Sequence, residues 1–556
     1  MAKQGTHEGI MGSALTQSTG LEASRSILLF VRAVIASLAL AGCAAAPSRD
    51  GIVVIASGAD LESANPLVTV HPMARQIQRY VLFTTLARFD STLAPVPYLA
   101  RAWRWSSDRT VLTMILVGDL RWHDGARTTA RDAAFTLDAA RDPRTGSPRA
   151  GELASLERAA AVDDTTLELH FTNAQASLPN VLCELPIVPE HLLARIPRGG
   201  MRSAAFATSP VGNGPFRFVE RVASQRWVFE RNSDFPASLG GPPALRRLVV
   251  AVVDEPATKL AGLVSGDLDM AGIAPTMAGL VESDPTLRLT EYPSVASVAL
   301  IFNPANGGPG HDHALGDRRV RHAIALSIDR ARIVSAAVGG FATPAHGAVP
   351  DASPFAAPSE AAVRDTARAD SLLDVAGYTR GPDRRRQRGG VPLVLELLTV
   401  GTGDNIAEQL IQADLAARGI TVVIRQLELG AFLARARATP RDFDVLLTGI
   451  PGDLALSHIV AMYDGSFRGG ALDYANFHTA RLDSLFTRVR AAADEHALRE
   501  SWRAVQGELE REMPAAWIYH SRGIQGVSRR LGGVTMDLRG ELPTVARWTT
   551  DGVSHR

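Results

Sequence analysis

The chain has 556 residues, which is enough for about two to four domains with buried cores and excludes a small fold held by disulfides or a metal. The 58 Lys and Arg residues balance the 58 Asp and Glu residues, so the formal net charge is zero. The chain therefore lacks the excess of positive charge that attracts nucleic acid, and we expect no nucleic-acid partner. Hydrophobic residues make up 46% and charged residues 21% of the chain, which is typical of a globular protein and not of a disordered or fibrous one.

The N-terminal region has the features of a secretory signal peptide over residues 1–42. Arg25 and Arg32 precede a short apolar run that ends in Leu40–Cys43, and the run is too short for a spanning helix of about 20 residues. The small residues before Cys43 resemble a bacterial lipobox, so we expect cleavage there and acylation of Cys43. The alternative is an uncleaved membrane anchor. After Cys43 no apolar run approaches spanning length, which predicts a soluble, exported body.

Strand-like and helix-like segments follow one another along the mature chain. Alternation or β-branched runs predict strands, and apolar residues at a spacing of three to four predict helices. Thr129 followed by Asp132 is a capping-box start for one of these helices. The predicted elements are strands Gly51–Ala56, Val111–Val117 and Thr165–Phe171, a turn at Trp122–Gly125, and helices Met73–Thr85, Thr129–Leu137 and Pro256–Gly266.

A parallel strand–helix–strand unit is predicted in the second half of the chain. Val391–Val400 reads as a strand, a helix follows through Ala417, and Ile420–Arg425 reads as the next strand. Gly401 and Gly403 at the turn match only part of a dinucleotide-binding pattern, whose third glycine position is Ile406. A two-glycine turn before a helix explains them, so we expect no nucleotide site.

The polar motifs do not indicate catalysis or metal binding. The chain has no nucleophile elbow, no zinc-protease helix motif and no phosphate-cradling loop, so we expect no enzyme, no catalytic residues and no cofactor. His311 and His313 are alternate loop residues without a third ligand at a metal-binding spacing. The basic stretch Arg380–Gly390 is expected to be a solvated loop. Cys183 is expected to be a small buried hydrophobic residue, and His191 to cap or satisfy backbone groups.

A series of short motifs, in order along residues 50–550, resembles a known family. Each motif alone is weak, but their joint order is specific. They are Asn65–Leu67, Pro97–Trp103, Trp105–Asp108, Leu120–Gly125, Thr129–Leu137, Ile187–Leu192, Pro210–Phe216, Phe302–Asn303, Asp317–Arg330, Leu372–Tyr378, Met513–Pro514 and Ile518–Tyr519. The chain is thereby similar to the family 5 solute-binding proteins of ABC importers, the extracellular peptide- and nickel-type substrate-binding lipoproteins.

The resemblance implies an α/β fold of the two-lobed periplasmic-binding-protein type (type II-like, cluster C) with an extra inserted domain. The ligand would lie between the lobes, and two crossing segments near 298–302 and 523–527 would form the hinge. The implied division is 1–42 signal peptide, 44–88 first part of domain I, 89–204 inserted domain II, 205–298 second part of domain I, 299–525 domain III, the ligand-binding lobe, and 526–556 the return to domain I.

The resemblance also implies a ligand-binding segment. Peptide-binding members hold the ligand's α-ammonium on an aspartate four residues after a glycine that follows a strand. Here Gly449 and Asp453 have that spacing, which makes Asp453 the candidate anchor and Gly449 and Ile450 its companions in the site. Ile450 stands where the family usually has tryptophan. The alternative for Asp453 is an ordinary loop carboxylate.

The implied function is that of a monomeric receptor that captures a di- or oligopeptide and delivers it to the transmembrane permease subunits of an ABC importer. It would be lipid-anchored through Cys43 on the periplasmic face of the cell envelope. Two alternatives stay open on the same scaffold. The solute could be a nickel or other metal chelate or a glycoside, or the receptor could sense a solute without transporting it.

Overall fold

The fold is organised around one mixed sheet whose strands come from both ends of the chain. The computed structural model describes residues 49–69, 71–305, 313–357, 364–401 and 405–550. The chain divides into an N-terminal unit, Met1–Asp50, and a unit from Gly51 to Arg556 that contains every element named below. The expected signal peptide, Cys43, Gly403, His311 and Asp312 lie outside the described residues.

In chain order, the strands in the described ranges are β1 Ile52–Ser57, β2 Ala87–Phe89, β3 Pro95–Pro97, β4 Ala100–Trp105, β5 Val111–Leu116, β6 Leu156–Ala161, β7 Thr166–Phe171, β8 Phe216–Val222, β9 Arg226–Arg231, β10 Arg247–Val252, β11 Met270–Gly272, β12 Leu287–Phe302, β13 Ala342–Pro344, β14 Thr379–Arg380, β15 Arg386–Arg388, β16 Val391–Pro392, β17 Val394–Val400, β18 Thr421–Leu427, β19 Val445–Ile450 and β20 Ala515–Ser528.

The α-helices in the same ranges are Pro72–Ile77, Ala130–Arg141, Val181–Glu184, Glu190–Leu193, Pro256–Ser265, Ala278–Ser283, Arg318–Ser327, Arg330–Val338, Thr366–Val375, Ile406–Ala416, Leu429–Ala436, Ser457–Tyr463, Ala480–Arg490 and Glu495–Glu512.

Local sequence signals explain where several of these elements begin. The backbone N–H of Thr129 donates to Asp132 Oδ2 at 2.8 Å, and the Thr129 hydroxyl accepts from Arg131 N. This arrangement satisfies N–H groups that the helix leaves open. The predicted capping box is therefore confirmed, and the helix runs from Ala130 to Arg141. Similarly, Pro256 starts a helix that Gly266 ends in a left-handed conformation.

The central sheet has the order β18-β17-β19-β12-β20-β11-β1-β10-β9-β8, with β13 added on β20. The predicted strand–helix–strand unit is confirmed, because β17 and β18 pair in parallel from Val394 opposite Thr421 to Val400 opposite Leu427. The helix Ile406–Ala416 connects them. A separate antiparallel sheet, β4-β5-β7-β6, lies within the segment expected to be an insertion.

Two long antiparallel strands, β12 and β20, run through the middle of the central sheet. Leu287 to Pro293 pair with Ser528 to Arg522, and Ser297 to Ile301 pair with His520 to Ala515. Pairing is irregular between Pro293 and Ser297. The segments 298–302 and 523–527 therefore lie on opposite sides of this irregularity and do not pair with each other.

Hydrophobic side chains form separate cores toward the two ends of this pair of strands. Two clusters consist mainly of residues from 53–287 and 524–548, and we call the region around them the first lobe. Two further clusters consist of residues from 299–518, and the region around them is the second lobe. The C-terminal residues Leu531, Leu542 and Trp548 pack in the first lobe, so the chain returns to its first core after completing the second.

The basic stretch corrects a sequence-based expectation. Arg380–Gly390 is not wholly a solvated loop, because β14, β15 and β16 form a small sheet there and Arg386 is only 2% exposed. The Arg386 guanidinium pairs with Asp370 at 2.8 Å and also with Asp374. A buried guanidinium needs such carboxylates to offset its lost hydration.

Two further side chains, His191 and Cys183, were the subject of expectations from the sequence. The His191 side chain contacts a carboxylate instead of a backbone group: its Nε2 lies 2.7 Å from Asp124 Oδ2, and within the described residues it makes no hydrogen bond to the backbone. Cys183 is buried and free, as expected. Burial raises the pKa of its thiol, with a further contribution from the adjacent Glu184, so Cys183 is a packing residue.

Candidate ligand-binding site between the lobes

The residues predicted to bind ligand lie at the end of β19 and in the loop after it. Gly449 pairs with Val298 and Ile450 with Ser297 on β12. Pairing of β19 with β17 ends at Leu447 opposite Thr399, two residues before Gly449. Gly449 is exposed, so its backbone is accessible where the sheet ends. The Ile450 side chain, by contrast, is only 1% exposed and packs in the second-lobe core.

Asp453 organises the loop through its carboxylate. Its Oδ1 accepts the backbone N–H groups of Ala455 at 2.9 Å and Ser457 at 3.0 Å. These bonds place the carboxylate beside the N-terminus of the helix Ser457–Tyr463, where negative charge is favourable. Oδ2 accepts no hydrogen bond from the residues that the structure describes.

The Asp453 loop lies against the first lobe. Leu454 is 9% exposed and packs in the main first-lobe cluster, although its neighbours in sequence belong to the second lobe. Gly452 lies so close to β12 that a Cβ there would overlap the carbonyl oxygen of Val295. A residue with a side chain would push the loop away from β12, so glycine is required for this close approach.

A buried ion cluster of the first lobe lies near the loop. We call Arg79, Arg149, Glu152 and Glu184 the ion cluster. Arg79 Nη1 is 2.8 Å from Glu184 Oε1, and Arg149 Nη2 is 2.7 Å from Glu184 Oε2. Arg149 Nη1 also donates to both carboxylate oxygens of Glu152, at 2.9 and 3.0 Å. Each guanidinium therefore has a carboxylate partner, as burial requires.

Charges of the ion cluster and the Asp453 loop influence one another. Burial would raise the pKa of Glu184, but Arg149 and Arg79 outweigh it and hold that pKa below its ordinary value. Burial raises the pKa of Glu152 to about 7; Arg149 opposes this rise, while Glu184 and Asp453 add to it. Asp453 of the second lobe is thus within electrostatic range of Glu152 in the first. The candidate site is the region where the Asp453 loop meets these first-lobe groups.

Two histidines near the loop are buried and neutral. Burial lowers the pKa of His520 to about 4, and its Nδ1 lies 2.7 Å from Ser297 Oγ on β12. Burial also lowers the pKa of His458, against the effect of Asp453. Both ring nitrogens of His458 are buried without a hydrogen-bond partner among the described residues. A polar ligand or water at the site could supply one.

Within the described residues there is neither a metal centre nor a membrane-spanning helix. Their His, Cys, Asp and Glu side chains form no group of three or more suited to a metal ion. Their helices include none with the length and hydrophobicity needed to cross a bilayer.

The ion cluster could not be recognised from motifs in the sequence. Arg79, Arg149 and Glu184 come from distant segments, and no local pattern connects them. One signal was present, since Glu184 is a lone carboxylate in the apolar run 180–188, and a carboxylate in such a run needs a buried cationic partner.

Glu152→Gln should change how stability depends on pH. A carboxyl group whose folded pKa is raised favours folding when protonated, so its contribution falls as pH rises from about 4.5 to about 7. Glutamine removes that loss. We expect the difference in the free energy of unfolding, variant minus wild type, to be about 1–3 kcal/mol larger at pH 8 than at pH 5, so that the variant gains stability relative to wild type as pH rises. Urea unfolding at both pH values measures it.

The control for this experiment is Glu157→Gln, which changes an exposed carboxylate of β6 in the same lobe. Its effect should be equal at the two pH values. An equal effect of Glu152→Gln at pH 5 and pH 8 would contradict the raised pKa.

The architecture matches solved solute-binding proteins over nearly the whole chain. NikZ from Campylobacter jejuni, solved with Ni(L-His), superposes with a TM-score of 0.75 at 20% identity and covers 90% of this chain and 99% of its own. AppA from Bacillus subtilis, solved with a nonapeptide, gives a TM-score of 0.70 at 20% identity, covering 90% and 98%. The two lobes joined by β12 and β20 thus have the fold of two-lobed periplasmic solute-binding proteins.

Comparison of the amino-acid sequence identifies the family. Residues 94–466 match the model of bacterial extracellular solute-binding proteins, family 5 Middle. A Brucella ovis protein provisionally named an ABC transporter peptide-binding protein is 28% identical over 375 residues, which is 66% of this chain and 68% of the relative. This chain belongs to the family 5 bacterial extracellular solute-binding proteins. The resemblance inferred from the motifs is confirmed.

Proposed function

We propose that this protein is the receptor of an ABC importer, that it captures a di- or oligopeptide between its lobes, and that it delivers the peptide to membrane permease subunits. The observation that carries the proposal is the Asp453 loop, a second-lobe segment that packs against the first lobe beside the ion cluster. The names of the Brucella ovis relative and of AppA with its nonapeptide support a peptide ligand.

The geometry suits an extended peptide. The exposed backbone of Gly449, beyond the end of pairing with β17, can bond to a ligand main chain as a further strand would, which tolerates many side chains. Asp453 Oδ2 would accept the ligand's α-ammonium while Oδ1 keeps its bonds to the loop. Ile450 would contribute through its backbone, because its side chain is in the core.

A second candidate ligand is a metal chelate of a small amino acid. The observation that favours it is His458, whose two ring nitrogens have no partner among the described residues and whose ring lies within electrostatic range of Asp453. NikZ, solved with Ni(L-His), has the same fold. Mass spectrometry of small molecules that co-purify with the protein distinguishes the two ligand classes.

Ligand binding should close the two lobes. The inferred division is domain I at 44–88, 205–298 and 526–556, the inserted domain II at 89–204, and domain III at 299–525.

The hinge is proposed at Pro293–Ser297 and the facing residues of β20, where pairing is irregular. We expect the radius of gyration from small-angle scattering to fall when the co-purified ligand is added back to unfolded-and-refolded, ligand-free protein.

N-acetylated peptide serves as the control for the scattering experiment. It lacks the cation that Asp453 would bind, so it should leave the radius of gyration unchanged. An identical radius with and without ligand would argue for a rigid scaffold and against the receptor function.

The lipid anchor is a separate proposal, supported by the sequence of Leu40–Cys43. Two acyl chains on Cys43 would hold the protein on the outer face of the membrane, at roughly 0.8 kcal/mol per buried methylene. Cys43→Ser should therefore accumulate as unprocessed precursor and leave the acylated membrane fraction. Cys183→Ser is the matched control. Unchanged mass and membrane fraction for Cys43→Ser would contradict the anchor.

The remaining features of the proposed receptor are further proposals, which the family assignment supports. We propose that it acts as a monomer, without a cofactor and without catalysis. Its task is to bind one solute and to present the closed form to the permease.

A further inference from the structure

The second lobe contains a cavity of its own. It has a volume of about 200 Å³ and lies between the start of the helix Arg330–Val338, the helix Glu495–Glu512 and the first residues of β20. All of its lining residues fall between Arg330 and Trp517, and Asp453 is not among them. The cavity is therefore separate from the space between the lobes.

Arg330 brings a buried charge to this cavity. It is 7% exposed. Its Nε donates to the carbonyl oxygen of Trp517 at 2.7 Å and its Nη1 to that of Ala325 at 3.0 Å. No hydrogen bond from Nη2 to the described residues exists, so the N–H groups of that nitrogen remain for a ligand.

The charge of Arg330 has no carboxylate to balance it. Four arginines in the described ranges are buried: Arg149, Arg321, Arg330 and Arg386. Arg149 and Arg386 pair with carboxylates at 2.7 and 2.8 Å, and Arg321 lies 4.0 Å from Glu512. Arg330 alone among these four makes no ion pair within the described part of the chain. Burying an unpaired charge is costly, so an anion at this position would be bound favourably.

Burial also affects how firmly Arg330 holds its proton. It lowers the pKa of the guanidinium to about 10, which still leaves it charged at neutral pH. An anion beside the guanidinium would reverse this shift.

The rest of the lining narrows the class of anion. Apolar surface comes from Val349, Leu509, Met513 and Trp517. The carboxylates of Asp351 and Glu510 also line the cavity, as do His346, which lies 3.6 Å from Asp351, and Arg503, whose charge is already paired with Glu500 outside the cavity. The two carboxylates would repel a doubly charged phosphate. A singly charged ligand with an apolar body fits a lining that combines apolar side chains with the one unpaired guanidinium. A cavity of about 150 Å³ is known to hold benzene, so this larger one accommodates a ring with a carboxylate.

We propose that this cavity is a second ligand site, which binds a small organic monocarboxylate with its carboxylate on Arg330 and its apolar body against Trp517 and Met513. The proposal is independent of what binds between the lobes.

Benzoate is the probe, and titration calorimetry on the full protein is the measurement. We expect a Kd of about 1 mM or tighter, unchanged when the interlobe ligand is present. Benzamide, which has the same shape and no charge, should bind at least about tenfold more weakly. A crystal soaked with 4-bromobenzoate should show the bromine anomalous peak in the cavity.

Gly507 provides a variant that leaves Arg330 intact. It lines the cavity, and nothing lies within 4 Å of where its Cβ would be. Gly507→Leu should fill this space and weaken benzoate binding at least about tenfold. Gly279→Leu is the matched control, because Gly279 also has open space around it but lies on the first-lobe helix Ala278–Ser283, away from the cavity. It should bind benzoate as wild type does.

Arg330→Gln tests the charge directly and should abolish benzoate binding in the folded protein. The proposal would be overturned by wild type that does not bind benzoate, by benzamide binding equally well, by unchanged binding in Gly507→Leu, or by a bromine peak between the lobes only.

Discussion

Asp453→Asn should weaken the binding of a short peptide with a free amino terminus by roughly two to three and a half decades. In a closed site, removal of the carboxylate leaves the ligand's ammonium buried without a partner, which typically costs about 3–5 kcal/mol, and a decade of affinity corresponds to about 1.4 kcal/mol. Asparagine keeps an oxygen that can accept the N–H groups of Ala455 and Ser457, so the loop should retain its conformation. Calorimetry on wild type and variant measures the loss.

Two comparisons make this experiment specific. N-acetylated peptide should bind wild type as weakly as free peptide binds the variant. Asp442→Asn, which changes a second-lobe carboxylate that is 67% exposed, should leave the affinity unaltered. A loss of less than tenfold in Asp453→Asn, or indifference of wild type to acetylation, would show that Asp453 does not bind an amino terminus and would favour a non-peptide solute.

Glu184→Gln should destabilise the protein by about 3–5 kcal/mol at neutral pH. Glu184 is the shared partner of Arg79 and Arg149, and its loss leaves these guanidinium groups with too few carboxylates in a buried cluster. The free energy of unfolding from urea titration measures the effect.

The pH dependence gives a second signature of the same cluster. The folded pKa of Glu184 is lowered, since Arg149 and Arg79 outweigh its burial. Its stabilising contribution is therefore complete above the ordinary glutamate value and is lost as pH falls through the folded pKa. The gap between wild type and Glu184→Gln should narrow in acid.

Glu220→Gln is the control, because Glu220 and Arg226 form a half-exposed pair, each 47% exposed, at 2.9 Å. Such a pair contributes less than about 1 kcal/mol. A similarly small loss for Glu184→Gln would show that the ion cluster contributes little to the free energy of unfolding and would contradict the prediction.

Local patterns predicted those parts of the fold that depend on neighbours in sequence. Thr129 and Asp132 act within one helical turn. The glycine turn and the two apolar runs around residues 391–427 likewise predict a parallel unit, because strand, helix and strand follow one another along the chain. These features need no information about the rest of the molecule.

Ion pairs between residues distant in sequence could not be predicted from local patterns. Arg386 sits in a basic run, and such runs are usually solvated, yet Asp370 and Asp374 neutralise it. Those two aspartates are four residues apart on the helix Thr366–Val375, so they share one face. That spacing was a usable sign of a buried cation nearby.

The candidate site shows the same limit. The choice of Gly449 and Asp453 came from resemblance to a family, and the structure places Gly449 at the end of β19 and Asp453 in the loop after it. That Leu454 packs into the first lobe, and that Ile450 turns inward, depends on how two separate cores meet. No pattern of residues within the segment contains that information.

The position of β20 has a consequence for how the chain acquires its structure. This strand pairs with β11 in the first lobe and with β12 along both lobes, and Trp548 beyond it completes the first core. A chain made from its N-terminus supplies these residues after all the other strands of both lobes. Each lobe therefore lacks a central strand until synthesis has passed Ser528, and contacts between distant residues delay folding further. We expect an extracellular protein built in this way to remain unfolded enough to pass through a narrow pore until β20 has been made.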